Sequence, residues 1–285
     1  MSTSPAPQSP QNAIVRRDLA ETSRLLLNLS GIYLSAPTNY SKNCNVVDLC
    51  STHDLYQPQA YSEWGELRCI GLGGSVWPYN WKDSTDNETC LGKLDVRLGV
   101  YRSVCRGEGA DLRDIELLSE WVLDNICARY ETSNQSVLLE YQAPSSHEEV
   151  VYYDEVVDDW LLYEVHPPGP RKGDPLKDPR LWRFPSTKSD FTACLINDVP
   201  WLVFECFQVD GDVEVTACAA ITPEHILSIE FSVNEAKESL FDHSLGMDEI
   251  VQTDIRTYMS NVFVTYSSYA KLSERPKMGE TDGMG

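Results

Sequence analysis

From His147 to Pro170 the chain reads HEEVVYYDEVVDDWLLYEVHPPGP. Seven carboxylates (Glu148, Glu149, Asp154, Glu155, Asp158, Asp159 and Glu164) share it with Tyr152, Tyr153, Trp160 and a run of Val and Leu, and with no Lys or Arg. Two chemistries use carboxylates beside aromatics. Acids steer a basic protein toward a surface, while Tyr and Trp supply contact area at low entropic cost. Alternatively, two carboxyls about 5–9 Å apart in an aromatic cleft can hydrolyse a glycosidic bond. A third use, ligation of a hard cation by Asp154, Glu155, Asp158 and Asp159, lacks the D-x-D-x-D-G spacing of a calcium loop, so these groups read as solvated acids.

Other reactive side chains lie apart from one another. Glu224 and His225 occur in TPEH between two apolar runs, where Thr222 and Pro223 suit a short capped turn. His53 and Asp54 follow Cys44 and Cys50, but a Cys–His nucleophile needs convergent partners that spacing alone does not supply. Gly71 to Gly74 read GLGG, which misplaces the third glycine of a dinucleotide fingerprint and fits a backbone kink or bulge better. G-x-S-x-G, H-E-x-x-H and P-loop patterns are missing. The nine cysteines form no C-x-x-C, and Cys194, Cys206 and Cys218 sit in apolar runs where a thiol serves as a small hydrophobe. No catalytic residue, metal ligand or cofactor is assigned.

The formal net charge of −21 is blocked rather than spread. Residues 130–170 and 189–236 carry nine acids each and no base, which accounts for −18, while 171–188 carry six bases and two acids. A solubility coat needs no such blocking, so the pattern favours an acidic recognition surface. Nucleic acid and anionic membrane surfaces are repelled by this balance. The N-terminal residues lack the apolar core of a signal peptide, which makes a reducing, cytoplasmic location the default.

The elements that must position these residues follow from periodicity. Residues 15–31 predict a helix stopped by Gly31, and residues 35–87 predict long aromatic loops around one strand at ELRCIGL. Leu94, Val96, Leu98 and Val100 alternate as in a half-buried strand. Leu112, Ile115, Leu118, Val122 and Ile126 form a helical stripe behind a cap at Asp111. Within 145–165 a strand is expected over 160–165, preceded by a capped helical turn or loop. Residues 199–233 predict a three-strand meander turning first at Asp210-Gly211. A two-residue turn would set Cys206 opposite Val215, leaving Trp201, Val203, Glu205 and Phe207 beside Glu214 and Thr216 on a mixed aromatic and acidic face. A helix from Met247 and a strand around NVFVTY close the pattern.

These elements predict an α+β fold, mainly antiparallel sheet with a few packed helices and room for two lobes. The expected organisation is a disordered segment 1–12, a lobe 13–165, a Pro-rich basic linker or crossover 166–188, a lobe 189–272 and a disordered tail 273–285. The expected function is non-catalytic: an acidic inhibitor, immunity-type antitoxin or adaptor that presents Asp154, Glu155, Asp158, Asp159, Trp160, Trp201, Glu205 and Phe207 to a basic protein partner. The alternatives are a glycosidase-like carboxylate enzyme and a structural or assembly subunit.

Overall fold

The computed structural model describes residues 14–15, 22–39, 50–64, 67–82, 88–103, 111–141, 148–154, 159–165, 174–208, 213–235 and 247–268. The first half gives β1 (Ile14–Val15), β2 (Ser23–Leu29), β3 (Ile32–Thr38), β4 (Cys50–His53), β5 (Ser62–Trp64), β6 (Leu67–Lys82) and β7 (Glu88–Arg102). A 25-residue helical run follows: α1 (Ile115–Trp121), a π-helical segment (Val122–Cys127) and α2 (Ala128–Leu139). Then come β8 (Glu148–Asp154), β9 (Asp159–Val165), β10 (Trp182–Arg183), β11 (Thr192–Ile196), β12 (Val199–Gln208), β13 (Val213–Ala220), β14 (His225–Glu235), α3 (Met247–Ser260) and β15 (Phe263–Tyr266).

Nine strands form the central antiparallel sheet, in the order β1-β6-β7-β14-β13-β12-β10, with β5 on β6 and β11 on β12. A second sheet runs β15-β3-β2-β4, with β2 and β4 parallel. Apolar residues on one face of the central sheet, among them Trp77, Leu94, Leu98, Ile229 and Phe231, join Leu25, Leu27 and Leu34 of the second sheet and Val251, Ile255 and Tyr258 of α3 in one core. The opposite face packs Leu202, Phe204, Cys206, Cys218 and Ile226 against Leu118, Trp121, Val122 and Ile126 of the helical run. The class is therefore α+β and antiparallel-rich, with few helices. Among the described residues no helix is long and apolar enough to cross a membrane.

Several sequence expectations are corrected. Residues 23–29 are a strand, because Leu25, Leu27 and Leu29 are buried while Leu26 is 46% exposed. Ser30 and Gly31, at φ 53° and 90°, make the two-residue turn into β3. Positive φ at both central residues matches the twist of paired strands, so Gly31 turns a hairpin rather than ending a helix. The loops expected over 35–87 contain most of β3, β4, β5 and the sixteen-residue β6. In β6 the alternation was hidden by a β-bulge between Gly71 and Gly73, where the GLGG kink or bulge was expected. Ile70 before the bulge and Leu72 within it are buried, then Ser75, Trp77 and Tyr79 beyond it, so the bulge inverts the alternation.

The helical stripe stands, but Asp114 rather than Asp111 is the N-cap, accepting a bond from the Glu116 amide at 2.9 Å. In the meander, Cys206 faces Glu214 and Glu205 faces Val215, one residue from the expected register. That slip exchanges the faces of β13, so Trp201, Val203, Glu205 and Phe207 share a face with Val213, Val215 and Ala217 instead of Glu214 and Thr216. The segment expected as a turn or loop before residue 160 includes a strand, β8, paired antiparallel with β9. The two expected lobes share both sheets and the larger core: β7 pairs with β14 over eleven positions, and β15 pairs with β3. Residues 1–12 and 273–285 lie outside the described residues, as do 166–173 of the linker; its remainder contains β10, a strand of the central sheet.

Candidate functional site

A cleft of about 710 Å³ opens where the helical run crosses the central sheet. Three adjacent strands supply its charged floor. Arg97 of β7 pairs across the ladder with Glu230 of β14, and Glu230 with Thr216 of β13, two residues from Glu214. The same sheet face is apolar at Cys218, Ile226 and Tyr101, where the helical run covers it. Its polar end is left to the cleft. The wall is formed by Asp124 and Asn125 of the π segment, by Arg129, Tyr130 and Ser133 of α2, and by Trp182 of β10. Six residues of π-helix are rare, and such distortions concentrate at functional sites.

Trp182, Tyr130 and Arg129 are held in place. The Trp182 amide donates to Asn134 Oδ1 at 2.7 Å, and Asn134 Nδ2 donates back to the Trp182 carbonyl at 3.0 Å. The Trp182 ring packs 5.0 Å from Tyr130 between centroids. Tyr130 donates its hydroxyl to Glu214 Oε2 at 2.5 Å. Burial first, then the Cys206 and Glu214 charges, pushes that phenol's pKa up, so it remains a donor. Arg129 Nη2 lies 3.2 Å from Glu230 Oε1, and Nη1 donates to the Tyr101 hydroxyl at 3.4 Å, which donates onward to Glu230 Oε1 at 3.1 Å. Burial opposes the Arg129 charge, but Tyr101, Glu230 and Tyr130 outweigh it and hold the guanidinium more firmly protonated than usual.

Hydrogen-bonding capacity remains unspent. Both bonds to Glu230 fall on Oε1 and the bond to Glu214 falls on Oε2. Among the described residues, Glu230 Oε2, Glu214 Oε1 and the exposed Arg97 guanidinium have no partner. The cleft thus offers two acceptors and one cationic donor beside an aromatic wall. Each of its strands sets charge within an alternating apolar run, Asp95 and Arg97 in LDVRLGV, Glu214 in VEVTACAA and Glu230 in ILSIEFSV, and that was the available sequence signal.

The expected binding residues fall in separate places. Trp201 is 1% exposed and packs in the core with Val215 and Ala217, which removes it from any partner surface. Glu205 and Phe207 do reach solvent, Phe207 at 45% exposure, and line a groove of about 540 Å³ with Arg183, Asp190 and Thr192. Glu205 Oε1 accepts from Gln252 Nε2 of α3 at 3.1 Å. Along the β12 edge, β11 pairs as far as Val203 and β10 resumes at Phe207, so the groove lies in the gap between two short strands. Asp154, Asp159 and Trp160 belong to the β8–β9 ladder, with Asp154 opposite Asp159 and Tyr153 opposite Trp160. Glu155 and Asp158 lie outside the described residues.

The other reactive groups are structural. His225 is buried; its Nε2 donates to the Leu55 carbonyl at 3.0 Å, which leaves Nδ1 to accept from Thr222 Oγ1 at 2.7 Å. Thr222 Oγ1 also accepts from the Glu224 and His225 amides, the cap expected of TPEH. His53 Nε2 lies 3.0 Å from Ser51 Oγ; Cys44 lies outside the described residues. Burial pushes the Cys127, Cys206 and Cys218 thiols up to about 12, which makes them inert. Among the described residues no group of three or more His, Cys, Asp or Glu could hold a metal ion.

Fold and site together define an antiparallel α+β protein with a ligand-sized cleft on its central sheet and an acidic two-stranded ladder that pairs with neither of its larger sheets. Neither a family model, nor a curated protein, nor a solved structure matches the chain.

Proposed function

We propose that the chain is a non-catalytic binding protein, of the inhibitor, immunity or adaptor kind, whose acidic β8–β9 ladder engages a basic protein. The observation that carries this reading is the register of that ladder. Glu149 stands opposite Glu164 and Asp154 opposite Asp159, in a two-stranded unit separate from both sheets. Like charges directly opposite destabilise a strand pair, and a lone hairpin is marginal in water. The sequence over 130–170 contains no base that could offset the repulsion. A cationic partner supplies what the ladder lacks, and the −21 net charge steers it there. Glu205 and Phe207 extend the reading to a second contact in their groove; Trp201 does not. The same charge sets nucleic acid and anionic membranes aside as partners, and the inert thiols suit a reducing, cytoplasmic setting.

The test is recovery of partners from host extract, identified by mass spectrometry, with the wild-type chain and with a variant carrying Asp154→Asn, Glu155→Gln, Asp158→Asn and Asp159→Asn. Basic proteins should be retained by the wild type and lost by the variant. Equal recovery by both would refute the acidic interface.

A further inference from the structure

We propose that the cleft over Arg97, Glu214 and Glu230 binds a neutral, hydroxyl-rich ring, a saccharide unit, independently of the acidic ladder. The chemistry follows from what the cleft leaves unspent. Glu230 Oε2 and Glu214 Oε1 require donors, while Arg97 requires an acceptor. An anion would meet Asp124, Glu214 and Glu230, and a cation would meet Arg97 and Arg129, so neither full charge suits the lining. A hydroxyl both donates and accepts at one atom without net charge, and neighbouring hydroxyls on a ring serve a carboxylate and a guanidinium together.

Shape agrees. About 710 Å³ falls within the range of small-molecule sites, roughly 300–1,000 Å³. Trp182 gives the apolar face of a sugar ring a surface to lie on, and its backbone is clamped in advance by Asn134. Glu230 is held by Arg129 and Tyr101 and Glu214 by Tyr130, so the free oxygens are oriented before any ligand arrives. The π segment delivers Asp124 and Asn125 to the rim. An ordinary helical turn would pass those two positions at a different angle, so the rare backbone and the cleft lining coincide.

The full chain is titrated by calorimetry and tryptophan fluorescence with glucose, galactose, N-acetylglucosamine, cellotriose and chitotriose, and with an N-acetylated dipeptide amide as the control for a neutral ligand without hydroxyls. Saturable binding of at least one sugar below about 10 mM is expected. Arg97→Ala should weaken it about tenfold with an unchanged thermal midpoint, because Arg97 is exposed and its loss strands no partner. Trp182→Phe should abolish the fluorescence change while leaving calorimetric binding measurable. The proposal is overturned if no sugar saturates, if only the dipeptide amide does, or if Arg97→Ala binds every sugar as the wild type does.

Discussion

At the scale of residues, two titratable groups tie distant segments together, and each fixes a pH dependence. Asp178, whose side chain is fully buried, accepts from the Arg180 amide and guanidinium and from the Tyr141 hydroxyl at 2.9 Å. The bonds from Arg180 hold its carboxyl well below the usual aspartate range. Its stabilising contribution is complete above the unfolded value of about 3.9 and is lost as pH falls toward the folded value. Melting curves from pH 5 to 2 should therefore fall more steeply for the wild type than for Asp178→Asn. His225 works in the same direction for another reason. Burial lowers its pKa below the usual histidine value, so the folded protein binds fewer protons than the unfolded chain just under about pH 6.5. Stability should drop as pH falls through that window, and His225→Gln should flatten the slope. Removing the imidazole with His225→Ala leaves the buried Thr222 hydroxyl without its acceptor and the Leu55 carbonyl with the Tyr61 hydroxyl alone, and should cost about 1–3 kcal/mol by denaturant titration at pH 7.

At the scale of elements, the bulge at Gly71–Gly73 decides which side chains of β6 enter the core. A Cβ at Gly74 would stand 2.6 Å from the Val96 carbonyl oxygen on the neighbouring strand. Gly74→Ala should cost roughly 1–3 kcal/mol and lower the thermal midpoint accordingly. The same position shows why β6 was illegible beforehand: alternation identifies a strand only while its parity lasts, and here it inverts in mid-strand. β7, β14 and α3 were legible because their apolar period runs unbroken through Leu94–Val100, Ile226–Phe231 and Val251–Ile255. Residues 23–29 offered Leu at three consecutive positions, which satisfies both periods, and only the Ser30-Gly31 turn settles the choice. The β12–β13 register depended on a turn length that Asp210-Gly211 alone does not fix, and one residue of slip moved Trp201 from an expected surface to the core. The cleft was hidden for a further reason. Arg97 and Glu230 are 133 positions apart and meet through a long-range strand pair, which leaves no local mark.

At the scale of the whole molecule, charge and architecture are separate designs. The core draws on both halves of the chain, while −18 of the −21 resides in two base-free stretches, one of which contains β8 and β9. Association through such a surface is accelerated by long-range attraction and screened over about 8–10 Å at ordinary salt. The on-rate of the basic partner should therefore fall as sodium chloride rises from about 50 to 300 mM, while binding of an uncharged sugar in the cleft should barely change. The central claim is tested most directly by the dissociation constant of that partner for the wild-type chain and for the variant with Asp154, Glu155, Asp158 and Asp159 neutralised, measured in parallel at low salt. A loss of at least about tenfold, with a shallower salt dependence in the variant, is the predicted result; equal constants with equal salt slopes would contradict it.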